Sequence, residues 1–166
     1  MLPLLRAAAA DYPDAHRGVG EELFAQKKFA ESVDELDTFI RLRPMHVNVI
    51  DAHEMAGRAL AAQGKTDEAI ARFRLILAMV PSYAAAHGRL ADLYFERQRF
   101  AEAVPEYAAF LAARSREAGP WTNYGISLVE TGRADQAVGA FERALALQPG
   151  SDSARRNLAA ARELRP

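Results

Sequence analysis

The sequence predicts an all-α chain of antiparallel helix pairs stacked in series. Three observations carry that prediction. Alanine, the residue with the highest helix propensity, is very abundant. Proline follows apolar helical runs at Pro44, Pro81 and Pro149, in FIRLRP, LILAMVP and RALALQP. Side-chain size recurs every 34 residues, as expected of a chain built from repeated units.

The register is set by four series. Glycine or alanine stands at Gly57, Ala91 and Gly125, and a large apolar residue three later at Leu60, Tyr94 and Leu128. Alanine follows at Ala69, Ala103 and Ala137, then an aromatic at Phe73, Tyr107 and Phe141. Ser115 falls where the spacing asks for a proline between Pro81 and Pro149. An earlier unit fits with Gly20, Leu23, Ser32, Leu36, Phe39 and Pro44, offset by three extra residues within Met45–Val49. The insertion is expected to lengthen the linker or the start of the next helix, and is read first as a variation in length.

These residues resemble the tetratricopeptide repeat family. The fourth unit carries the clearest likeness, with Trp121, Tyr124-Gly125, Leu128, Gly132, Ala137, Phe141, Ala144 and Pro149. The resemblance covers about residues 13–149 and implies a right-handed superhelical solenoid of about four helix pairs plus terminal helices.

Taken in order, residues 1–12 read as an N-terminal helix, the second helix of a truncated upstream unit, with Leu4–Ala10 helical in composition. The units then run 13–46, 47–83, 84–117 and 118–150. In the second, Gly64 suits a left-handed helix end, where a Cβ would cost energy, and Thr66 reads as the next N-cap. In the third, Pro105 should remove one backbone hydrogen bond and kink its helix slightly. In the fourth, helices are expected from about Pro120 to Glu130 and from about Ala134 to Leu147, with Gly132 between them. Gly57 and Gly125 are expected to face Ala69 and Ala137, with Phe73, Tyr107 and Phe141 filling the space toward the next hairpin. Residues 151–166 form an amphipathic capping helix striped by Ala154, Leu158, Ala161 and Leu164.

Composition narrows the function. The net charge of -1 provides no bulk positive field, so nucleic acid is not expected as a partner. No apolar run approaches the roughly 18 residues of a membrane span, so direct membrane insertion is not expected. Cysteine is absent, which removes disulfide and thiolate chemistry. The abrupt apolar opening suggests a piece of a longer protein, and the excess of Arg over Lys, eighteen to three, suits a bacterial source. A soluble chain is expected, cytoplasmic before exported.

No catalytic residue, metal site or cofactor is expected. His16, His53 and His87 occupy one repeat position, where the fourth unit has Trp121. Equivalent places on successive hairpins lie about 10 Å apart, too far for one metal with Zn–N near 2.0–2.1 Å. These histidines therefore read as half-buried packing residues, and His46 as a linker residue. No HExxH, GxSxG or glycine-rich phosphate loop is present.

The resemblance further implies a concave face lined by the first helices, where partner segments lie. It places Arg17, Glu21 and Phe24 there from the first unit, and Asp51, Met55 and Arg58 from the second. Arg89, Asp92 and Phe95 follow from the third, Asn123 and Ile126 from the fourth, and Arg156 and Asn157 from the terminal helix. Arginine can bind carboxylates, Asn can bond a peptide backbone, and Phe or Met can receive an apolar anchor. The family's clamp for chaperone C-termini is not matched: Arg17 with Glu21, then Met55, then Ala85 with Arg89 stand at its positions, and Glu21 would repel a carboxylate. The reading is a non-catalytic module that binds a protein or peptide. The alternatives are a self-associating scaffold and an accessory domain of an enzyme such as a glycosyltransferase or sulfotransferase.

Overall fold

The computed structural model describes residues 12–114 and 116–164. The expectations for Leu4–Ala10 and Ser115, and the last two residues of the expected capping helix, lie outside them. The described secondary structure is helical: α1 (Pro13–Ala25), α2 (Phe29–Leu42), α3 (Val49–Ala62), α4 (Thr66–Met79), α5 (Ala84–Glu96), α6 (Phe100–Ala113), α7 (Ala118–Glu130), α8 (Ala134–Leu147) and α9 (Asp152–Glu163). The chain divides into two compact units, Met1–Pro81 and Ser82–Pro166. The first holds the hairpins α1–α2 and α3–α4. The second holds α5–α6, α7–α8 and the single helix α9.

All four hairpin turns are built alike. Lys27, Gly64, Gln98 and Gly132 have positive φ of 59°, 75°, 57° and 73°. The next N–H closes back five residues, from Lys28 to Leu23, Lys65 to Leu60, Arg99 to Tyr94 and Arg133 to Leu128, at 2.8–3.0 Å. This is the Schellman closure, which satisfies carbonyls that a helix end leaves free. It also corrects the expected cap at Thr66. Lys65 is the N-cap, because its N–H is committed to Leu60 and the next helix begins directly at Thr66.

The core shows what the small residues make room for. A Cβ on Gly57 would lie 2.9 Å from Phe73 Cζ, and one on Gly125 only 2.5 Å from Phe141 Cε1. The glycines therefore seat the aromatic ring of their own hairpin. In the first hairpin Leu36 takes the ring's place, 2.7 Å from a Cβ on Gly20. Ser32 stands where the other units have alanine, fully buried, and its hydroxyl donates to the Gly20 carbonyl at 2.8 Å.

The three-residue insertion is shared between linker and helix. The α2–α3 linker has six residues against four between α8 and α9, and α3 has 14 residues where α5 and α7 have 13. Met45 and Val47 on this linker are almost fully exposed, while the His46 ring meets Phe39 edge-on at 5.4 Å.

Two further expectations are adjusted, at the start of α7 and the end of α9. α7 begins at Ala118, with Pro120 inside the first turn, where its missing N–H has no helical partner to lose. α6 runs unbroken through Pro105, whose ring is exposed. Ser151 caps α9 by accepting from the Ala154 N–H, and Ala154, Leu158 and Ala161 are buried. Leu164, expected in that stripe, lies beyond the last helical residue and is 59% exposed.

Candidate functional site

Residues expected on the binding face fall at a few repeat positions. Glu21, Arg58, Asp92 and Ile126 share one, Met55, Arg89, Asn123 and Asn157 another, and Phe24 and Phe95 a third. Their surroundings differ, and the difference decides which are available to a partner.

In the first unit much of the set is engaged. Arg17 pairs with Glu21 one helical turn on. The Arg58 guanidinium lies 4.9 Å from the centre of the Phe24 ring, whose edge also meets Phe29 at 5.4 Å. Met55 packs against the core formed by Leu36, Phe39, Val49, Ala52 and Ala56. Asp51 is exposed.

In the second unit the expected residues line two open clefts. One, of about 200 Å³, lies among α5, α6 and α7 and is bordered by Arg89, Asp92, Tyr107, Phe110, Arg114 and Glu117. Gly88 also lines it, with its backbone close against the Phe110 ring. The other, of about 100 Å³, lies among α7, α8 and α9 and brings Ile126 and Asn157 together with Val129, Glu130 and Phe141. Ile126 also packs against the core beneath it. Asn123 is half-buried and Arg156 is exposed on α9. Phe95 meets Phe100 at 5.7 Å and Tyr107 at 6.4 Å.

Asp92 is the distinctive group of the larger cleft. Its Oδ1 accepts from the Tyr107 hydroxyl at 2.9 Å. Burial pushes the Asp92 carboxyl above its ordinary value; the Tyr107 hydrogen bond and the Arg89 charge oppose this, and Glu117 adds to it. Burial, helped by the Asp92 charge, also pushes the Tyr107 phenol up, so it stays a neutral donor. Nothing in the sequence pattern announced Tyr107 as more than a core aromatic. Its spacing of 15 residues from Asp92, one helix to the next across a hairpin, was the available signal.

The histidine position is polar, where the sequence suggested packing alone. His16 Nδ1 lies 2.7 Å from Glu35 Oε2, and His87 Nδ1 2.6 Å from Glu106 Oε2. His53 Nδ1 lies 3.2 Å from Arg72 Nη1. Each partner is 19 residues on, and in the fourth hairpin that position holds Ala140, beside the bulkier Trp121. Among the described residues no group of three His, Asp or Glu could hold a metal ion. No described helix is long and apolar enough to cross a membrane.

Comparison with solved structures finds the same fold in MamA. One MamA crystal structure aligns with a TM-score of 0.81 at 17% identity, covering 92% of this chain and 81% of that one. MamA from Desulfovibrio magneticus RS-1, residue 41 to the end, gives 0.77 at 18%, covering 92% and 90%. A MamA point mutant gives 0.76 at 22%, covering 91% and 86%. At these identities the likeness is one of fold. A search of curated proteins gives no match. Two family models described as tetratricopeptide repeat match residues 60–117 and 118–161, together more than half of the sequence. With the hairpins and their turns in this register, the chain belongs to the tetratricopeptide repeat family.

Proposed function

We propose that this chain is a non-catalytic interaction module that holds an extended peptide or protein segment against the faces of its first helices. The observation that carries the reading is the pair of clefts in the second unit. Arg89 and Asp92 border one, Ile126 and Asn157 the other; first helices supply three of them and the terminal helix α9 the fourth. Each cleft combines an apolar wall with polar groups, the pattern that lets side chains anchor and hydrogen bonds orient. The first unit offers less, because Arg58 and Arg17 already have intramolecular partners.

The test is selection of binders from a displayed peptide library, followed by affinity measurement on variants. Ile126→Asp and Asn157→Ala should each weaken a selected peptide at least tenfold, with helical circular dichroism unchanged. The paired change Arg58→Ala with Arg89→Ala should act mainly through Arg89. Equal affinity across these variants would remove this face from the account.

A further inference from the structure

We infer that the cleft beside Asp92 seats a lysine or arginine side chain of the bound segment. This rests on the reading of the face as a peptide site and names the chemistry of one of its positions.

The register isolates Asp92. At the same repeat position Glu21 has Arg17 as a partner, Arg58 has the Phe24 ring, and Ile126 has the apolar core. Asp92 has the Tyr107 hydroxyl on Oδ1 and no ion pair among the described residues. Tyr107 is fully buried, so the carboxylate it holds is fixed in place. The other oxygen, Oδ2, is left for an incoming donor. Glu117 borders the same cleft and is close enough in charge to act on Asp92. A cation between the two carboxylates would be attracted by both.

The shape suits a long cationic side chain. Gly88 lets the Phe110 ring lie close against the α5 backbone, where a Cβ would come within 2.9 Å of it, and the part-exposed ring lines the cleft. Ala85 and Pro120 complete the apolar wall. A lysine or arginine buries its methylene stem on such a surface while its head stays at the polar end. Arg89 and Arg114 also border the cleft, but both are exposed. Glu117 is exposed as they are, so water screens all three charges, whereas attraction to the half-buried Asp92 carboxylate is screened less.

The experiment titrates four blocked tripeptides, with central Arg, Lys, citrulline or Glu, into the isotope-labelled chain, and follows the amide resonances of Gly88 and Asp92. Arg and Lys peptides should shift these resonances saturably. Citrulline, close to Arg in shape but uncharged, should bind at least tenfold more weakly. Asp92→Asn retains an acceptor for Tyr107 and should abolish that tenfold preference. Added salt should weaken the Arg peptide and leave the citrulline peptide unmoved, a readout that needs no variant. Equal binding of Arg and citrulline, or tighter binding of Glu, would overturn the assignment. A set of longer library-selected peptides separates the two readings. If they bind along α5, α7 and α9 without a charge preference, only the cleft assignment fails. If none binds, both fail.

Discussion

Arg72 Nη1 lies 3.2 Å from His53 Nδ1, and a guanidinium can only donate, so that ring nitrogen is the acceptor and the imidazole is neutral. The same guanidinium holds Asp37 with contacts of 2.8 and 3.0 Å, tying α2, α3 and α4 together in the first unit. Burial lowers the His53 pKa from 6.5, Arg72 lowers it further, and Asp37 opposes them.

Stability should follow that titration. With the folded pKa depressed, the unfolded chain takes up the proton first as pH falls. The contribution is therefore complete above 6.5 and is lost as pH drops through the folded value. His53→Gln keeps a polar side chain that does not titrate. The melting temperature of the native chain should fall more than that of the variant between about pH 7 and pH 5. Parallel curves would show that His53 protonates without penalty.

Asp92 has the opposite sign. Its folded pKa lies above the ordinary 3.8, so its contribution is complete below that value and is lost as pH rises through the folded one. Asp92→Asn should melt higher than the native chain at neutral pH, with the gain shrinking as the pH approaches 3.8. A variant that melts lower at neutral pH would mean that the charge is compensated better than its surroundings indicate.

Gly125→Ala tests how the hairpins close. The added Cβ would fall 2.5–2.8 Å from three atoms of the Phe141 ring, which is fully buried. Overpacking of this kind costs about 1–3 kcal/mol, which chemical denaturation should resolve. The third hairpin carries alanine at the matching place, Ala91, so Ala91→Gly should cost only about 1 kcal/mol in helix propensity. If Gly125→Ala were neutral, the close approach of helix and ring would be wrong.

Gln98→Gly should stabilise the chain. A side chain at φ 57° is strained, and relief is worth about 1–2 kcal/mol before the greater entropy of unfolded glycine reduces it to roughly half. Lys27→Gly should behave likewise and Gly132→Ala in the opposite sense. Thermal melts of the three variants check the set, and a loss of stability in Gln98→Gly would count against the turn.

The repeat, the helices and two of the four turns were legible because the residues that enforce them are distinctive in size. Gly64 and Gly132 announced a left-handed helix end. Lys27 and Gln98 take the same conformation without announcing it, since backbone bonds from Lys28 and Arg99 hold them there. The pairing of His16 with Glu35 and of His87 with Glu106 was hidden for another reason. It joins the two helices of a hairpin at a spacing of 19, which no single-helix periodicity reveals. The binding face was legible as a set of positions but not as a set of available groups. Phe24 is legible as an aromatic; that Arg58 lies over it depends on how α1 meets α3.

Every hairpin bends by the same pair of main-chain bonds, whether the bend holds glycine, lysine or glutamine. The corner is thus written in peptide groups, and the charge of the side chain there is released from architectural duty. Those tips can drift in charge with little effect on the joint, whereas an insert at 27–28, 64–65, 98–99 or 132–133 would part the very groups that close it and should splay the two helices.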